Sequence, residues 1–485
     1  MKWLKRILFA LVALVTLVAL VIAFENWRGK RAWLRFKTEW ESKGEGFDMA
    51  SVIPQKVPDH ENFAMTPFFA PLFDYEYAPS VTHKNSNAVR RTQSAFLGSR
   101  GGLPKLGAQR HGKQTDLKEW QEHFVGNTNY PSGDGTQSAA ADVLHALSKY
   151  EDVISELRMA SVRPHSHYPV HYQEGFSALL PHLSVLRGVS DIVRLRAVAE
   201  LRHGRTNEAF ADLKLSIYLT ESLKSEPLLI SQLVRIALLG AALDTVWETL
   251  DGWSDVQMTE LQQTLSRIDL LEDYPKSIRG ERAFSNDAFA RMRRGENFPG
   301  ELEVAARYGP SGLLYQNQLT INRLHQKYVL APVDVEGRKV DARKALALDD
   351  LPELRGWHVY RLFAKVLFPA LSKSVFRFAS AQTDLDFAVI ACALERYRRV
   401  NSQYPGSLEE LRPKFIEKIP SDIISGGPLH YRREAADGFT LYGVGFDEND
   451  NNGKPPPAKE RRVDVVGYDW VWQPAPKRTD NSSNR

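Results

Sequence analysis

The sequence predicts a mainly α-helical, membrane-anchored protein closed by a small α+β module. Three observations carry that prediction. An unbroken apolar run extends from Ile7 to Phe24, apolar residues recur at helical spacing through the middle of the chain, and turn residues separate short β-rich runs between Tyr404 and Gly453. The expected organisation is an anchor over 1–28, a juxtamembrane helix with an extended Pro-rich region over 29–135, and a helical body over 136–375. An α+β domain over 376–475 and a disordered tail over 476–485 complete it.

The anchor comes first. Eighteen helical residues span about 27 Å, close to the thickness of the bilayer's hydrocarbon core. Trp3 and Trp27 flank the run, where an amphipathic indole prefers the headgroup layer. A cleavable leader is the competing reading, with Lys2, Lys5 and Arg6 before the apolar run and a cut after Ala23. The bulky Phe24, Glu25 and Trp27 favour a retained anchor. Basic residues also follow the run, at Arg28, Lys30, Arg31, Arg35 and Lys37, so charge asymmetry alone does not orient the chain. This cluster suits anionic lipid headgroups.

Beyond the anchor, RGKRAWLRFKTEWESKGEGFDM reads as a continuing helix stopped at KGEG. The prolines of residues 50–75 predict an extended segment, with Phe63, Phe68, Phe69 and Phe73 seeking a body to pack on. Residues 98–116, GSRGGLPKLGAQRHGKQTD, read as a mobile loop. From Thr136 to Met292 the pattern is helical. One hairpin there has tetratricopeptide-type spacing at Ala197, Gly204, Ala209 and Leu213, with Glu200 where that repeat places an aromatic. No 34-residue period recurs, so an irregular helical array is expected. Helices stacked in this way offer long surfaces to a protein partner. Ser254 and Gln257 are spaced for a capping box. A long helical pattern runs from near Arg361 to Arg399.

The closing stretch gives a long helix, the short helix SLEELRPKFI, two strands in PLHYRR and FTLYGVG, and the loop FDENDNNGK. Matching features are Ala393-Leu394-Glu395 with Tyr397, Tyr404-Pro405, Leu408 with Leu411, Ile419-Pro420, Pro428 with Tyr431, and Leu441 to Gly445. On these residues the module resembles the globular end of type II secretion major pseudopilins. The chain as a whole also resembles a group of membrane-anchored proteins of planctomycete and verrucomicrobial bacteria, through NFAMTPFFAPL and the SLEELRP and YGVG segments. These resemblances imply a bacterial envelope setting and a body outside the cytoplasm, and they imply no activity. The membrane run ends at Phe24, far upstream of the module, so the module is expected as a docking domain and not as a filament subunit. The pseudopilin resemblance also implies calcium in the acidic loop, where the matching positions offer Asp447, Glu448, Asn449 and Asp450; Asp447, Asn449 and Asn451 could converge in a turn there, and Asp464 could add a ligand. Oxygen donors at alternate positions suit such a hard cation, while a turn held by Asx hydrogen bonds is the competing reading.

Chemistry elsewhere is sparse. His165, His167 and His171 could surround a transition metal, or simply pack a loop between two helices. Glu281 and Arg282 read as a buried network, and Asp287 with Arg291 as an i,i+4 pair. Cys392 is the single cysteine, so an internal disulfide and a thiolate zinc cluster are excluded. No nucleophile elbow, phosphate loop or HExxH occurs. The net charge is +4 with no basic stripe, so nucleic acid is not an expected partner. The expected role is a membrane-anchored structural or protein-interaction component of an envelope assembly. An envelope enzyme with a metal or acid–base site is the alternative.

Overall fold

The computed structural model describes every residue except 1, 78–80, 99–101, 132–136, 297–308, 348–350, 357, 436–437, 458–466 and 477–485. Asp464 and nearly all of the expected tail lie outside the described residues. The protein is mainly helical, with one exposed apolar helix at the N-terminal end and a small sheet region near the C-terminal end.

Helix α1 runs unbroken over Lys2–Glu41, so anchor and juxtamembrane segment form one rod of 40 residues, about 60 Å long. The boundary expected at residue 28 therefore lies inside a helix. Helices α2 (Ser86–Gln93) and α3 (Leu117–Phe124) lie in the region that follows. The body contains α4 (Ala139–Leu147), α5 (Glu151–Ala160), α6 (Pro181–Arg202), α7 (Thr206–Glu221), α8 (Leu229–Thr249), α9 (Asp255–Ser266) and α10 (Leu270–Arg293). Then come α11 (Ser311–Leu324), the short α12 (Ala342–Leu346), α13 (Leu362–Ser372) and α14 (Ser374–Asn401). Two hairpins, β1 (Tyr75–Tyr77) with β2 (Val81–His83) and β3 (Val333–Asp334) with β4 (Lys339–Val340), decorate this array. Strands β5 (His430–Ala435), β6 (Gly438–Gly443) and β7 (Trp470–Trp472) form one antiparallel sheet with β6 in the middle. Its register pairs His430 with Tyr442 and Leu441 with Trp472.

Local chemistry sets several boundaries as the sequence predicts. The Ser254 hydroxyl accepts from the Gln257 N–H, and the Gln257 side chain returns a bond to Ser254, which starts α9 with a full capping box. The hairpin of α6 and α7 also forms. Its departure at Glu200 is explained by charge: Glu200 is buried and paired with Arg205 and Arg196.

Four expectations need correction. The Pro-rich region 50–75 is not extended. It folds into successive 3-10 turns that drive Phe63, Phe68, Phe69 and Phe73 into a core shared with α4 and α6. The described part of 98–116 is not a free loop either. The Gly107 N–H donates to the Thr115 hydroxyl, and Thr115 in turn donates through its N–H and hydroxyl to the buried Glu248 carboxylate. Polar side chains in a Gly-rich stretch signal mobility only when no buried acceptor awaits them, and this acceptor lies far away in sequence. The long pattern from Arg361 breaks at Lys373 into α13 and α14. SLEELRPKFI supplies only the 3-10 turn Leu408–Leu411, because Pro413 removes the N–H that a longer helix needs.

One hydrophobic core runs from Ala209 in α7 to Trp472 in β7 and includes most of α14. The boundary expected at 375/376 thus falls within a helix and within a continuous core. A second core joins α4–α6 to the aromatic turns, and a small third one, around Trp33, Phe36, Phe47 and Leu319, binds α1 to α11.

Candidate functional site

The apolar run of α1 is fully exposed, as expected of a helix made for lipid, whereas the half beyond it is docked. Among the described residues, two helices are long and apolar enough to cross a bilayer. The other, Leu229–Gly252, is more than half buried in the body. The docking of α1 occurs at three levels. Nearest the apolar run, α1 crosses α11 at glycines. A Cβ on Gly29 would lie 2.7 Å from the Gly312 carbonyl oxygen, and one on Gly312 would meet the Asn26 nitrogen at 2.7 Å. Here the backbones touch because neither helix carries a side chain. The Gly312 N–H donates to the Asn26 side-chain oxygen at 2.6 Å. Beside this crossing, the Arg28 guanidinium donates to Glu25 and to the Tyr360 hydroxyl, each at 2.9 Å, and Tyr360 donates to Glu25 at 3.0 Å.

At the second level Phe47 packs edge to face on Trp33 and on Phe36, which stack on each other, with centroids 5.8–6.1 Å apart, against Leu319. At the third, the Glu45 carboxylate takes Arg279 at 2.8 and 3.0 Å and Arg282 at 2.6 Å. Arg282 is fully buried, also donates to the Gly46 carbonyl, and lies over the Phe47 ring. Burial alone would raise the Glu45 pKa. The two guanidiniums outweigh it and hold the carboxyl down at about 2. For Arg282 burial dominates, and its pKa is lowered.

Trp3 and Trp27 are exposed on α1, and Trp27 stacks near Phe24 and under Arg31. Of the three histidines, His171 stacks on Tyr75 at 4.5 Å, and His167 places Nδ1 2.9 Å from the Gln55 carbonyl. His165 lies 3.9 Å from Glu61 and 6.0 Å, ring to ring, from His167. A recess of about 540 Å³ joins His165 and His167 to Arg279. Its acids are already committed: Glu221 and Asp273 to Arg235, and Glu226 to His182. Burial raises the Glu281 carboxyl, partly offset by the Leu229 N–H. Asp287 and Arg291 pair at 2.6 Å, as their spacing predicts. Among the described residues no group of three or more His, Cys, Asp or Glu side chains is placed to hold a metal.

In the acidic loop, Asp447 accepts from the Asn449 N–H and Asp450 from the Asn452 N–H, both Asx turns. The Asn451 amide side chain lies 3.4 Å from Asp447. Sequence reasoning missed the organiser of this loop, Asp469. It is fully buried and accepts from the Asn451 and Gly453 N–H groups. Its position beside Trp470, at the start of β7, is the signal that could have found it.

Sequence reasoning also missed a cleft of about 490 Å³ between α8, α14 and the C-terminal strand region. Asp244, Trp247, Asp384 and Trp472 line it. Asp244 accepts from the Gln109 N–H at 2.9 Å, and burial, with Asp384 nearby, pushes its carboxyl up to about 6 despite Arg194. Cys392 is buried in α14, with its thiol pushed up to about 12 by burial, so it is chemically quiet. No family model, curated protein or solved structure matches the chain.

Proposed function

We propose that this protein is a membrane-anchored structural component of a bacterial envelope assembly that presents its helical body to a protein partner from a fixed mount. The observation that carries this reading is the three-level docking of α1 on α11 and α10. A flexible tether needs none of those contacts. A mount that fixes the height and orientation of a body above a bilayer needs all of them. The envelope setting and the non-cytoplasmic side rest on the sequence resemblance, as does the role of the closing module as a pseudopilin-like docking domain. Calcium bound by Asp447, Asn449, Asp450 and Asn451 belongs to the same proposal.

The test is fractionation of cells expressing the full-length chain. The reading expects recovery in the membrane fraction after an alkaline wash, and cleavage of the body by protease added to spheroplasts. Recovery in the aqueous fraction without detergent overturns the anchoring. Protection in intact spheroplasts, with cleavage only after lysis, overturns the orientation.

A second reading is an enzyme using acid–base chemistry in the Asp244 cleft. It is favoured by one feature, a carboxyl that burial pushes up to about 6 in a ligand-sized cavity lined also by Trp247 and Trp472. Asp244→Asn would abolish turnover of any substrate found for the cleft while leaving its binding intact. Full turnover by that variant would remove this reading.

A further inference from the structure

The fixed mount has a consequence at the bilayer surface. We propose that the His358–Arg361 turn is a second membrane contact, lying in the headgroup layer against anionic phospholipid. This rests on the reading that Ile7–Phe24 spans a bilayer.

Height is the first argument. The Tyr360 hydroxyl is 3.0 Å from Glu25, the residue directly after the apolar run, and 2.9 Å from Arg28. One helical turn past Phe24 is about 5 Å, and the interfacial layer on each face of a bilayer is about 5–7 Å deep. The hydroxyl therefore sits within that layer whenever the run fills the hydrocarbon core. Rigidity is the second argument. Asn317, fully buried in α11, donates to the Val359 carbonyl at 2.8 Å and accepts from the Phe363 N–H at 3.2 Å, so it brackets the turn. Since α11 is itself locked to α1 at Gly312, the turn cannot drift from the level of the anchor's exit.

Composition is the third argument. His358 and Val359 are exposed, and Arg361 is partly so. On α1 the neighbouring Lys30 and Arg31 are exposed, and Arg28 lies over the Tyr360 ring. An exposed valine beside a tyrosine and several cations suits the boundary between acyl chains and phosphates, where the ring and the branched chain meet glycerol and the cations meet lipid charge. In water the same valine gains nothing from exposure. The body would then touch the membrane at two places, at α1 and at this turn, which fixes its rotation about the anchor as well as its height.

The experiment uses the full-length chain in nanodiscs of equimolar phosphatidylcholine and phosphatidylglycerol. Cys392 is buried, so a single introduced cysteine takes an environment-sensitive fluorophore selectively. Three variants are labelled separately: Val359→Cys in the turn, Leu14→Cys in the anchor, and Val256→Cys at the start of α9. The quenchers are headgroup-nitroxide lipid and, for Leu14→Cys, lipid brominated along the acyl chain. The proposal expects loss of at least half of the Val359→Cys emission to headgroup nitroxide, with Val256→Cys unaffected. It also expects that loss to shrink when phosphatidylglycerol is omitted or Arg361→Glu is added. If Leu14→Cys is quenched by brominated chains while Val359→Cys behaves like Val256→Cys, the second contact is overturned and the anchor stands. If Leu14→Cys is not quenched, the span itself fails and the second contact fails with it. A loss at Val359→Cys that ignores both phosphatidylglycerol and Arg361→Glu overturns the anionic-lipid assignment.

Discussion

Glu45→Gln should release the far end of α1 from the body. The substitution keeps the size but removes the charge that two guanidiniums share, and it replaces one acceptor oxygen with an amide that can only donate. Arg282, fully buried, would then keep only neutral partners, the Gly46 carbonyl and the Phe47 ring among them. Breaking a buried pair by neutralising one member costs about 3–5 kcal/mol. The pKa gives an independent figure. A carboxyl lowered from 4.5 to about 2 stores about 3 kcal/mol at 1.36 kcal/mol per unit. The sign follows from linkage: a depressed carboxyl stabilises the docked state fully above its free value of 4.5, and that stability is lost as pH falls toward 2. The assay is amide hydrogen exchange of residues 45–48 in the full-length chain in nanodiscs, corrected for intrinsic rates. At neutral pH the variant should exchange about 100-fold faster there, since 1.4 kcal/mol is a factor of ten, while the α6–α7 hairpin is unchanged. The wild-type advantage should shrink between pH 4.5 and 2. A change below about threefold at neutral pH, worth well under 1 kcal/mol, would refute the clamp.

Other outcomes follow from the same physics. Gly312→Leu should separate α1 from α11, because its side chain would have to occupy the space of the Glu25 and Asn26 backbone; loss of protection at Asn26–Trp33 by hydrogen exchange checks this. Asp244→Asn should stabilise the body at pH 7–8 by at most about 3 kcal/mol and change little at pH 4, because a carboxyl raised from 3.8 to about 6 favours the fold only while protonated. Denaturation of both proteins across that pH range reads the difference. His325 is fully buried, its ring nitrogens have no hydrogen-bond partner among the described residues, and its pKa is lowered to about 3 by burial. Stability carried by its neutral form is therefore lost as pH falls below 6.5, and His325→Phe should flatten that part of the stability profile. For the acidic loop, added calcium should slow exchange of residues 440–453, and Asp447→Asn with Asp450→Asn should abolish the slowing.

What the sequence revealed was local. The apolar run, the Ser254 capping box, the Asp287–Arg291 pair and the β5–β6 hairpin each depend on residues a few positions apart, and each is found where its spacing places it. What it hid was long-range. Glu45 meets partners more than 230 positions away, and Thr115 meets Glu248 across 133. No periodicity announces either. The region 98–116 reads as mobile because its polar residues have no local partner, and it is ordered because they have distant ones. Strand β7 is three residues long, too short for an alternation to be read, and it exists because the edge of β6 and the α8–α14 surface bury its two tryptophans. The cleft around Asp244 draws on five separated segments, so no motif could mark it.

The central claim is that anchor and body move as one piece. The most direct measurement is the distance distribution between spin labels at Leu34→Cys on α1 and Val256→Cys on α9, both exposed, with buried Cys392 left in place. A fixed mount predicts one narrow distribution, the same in detergent micelles and in nanodiscs. A broad distribution that changes with the surrounding lipid would contradict it.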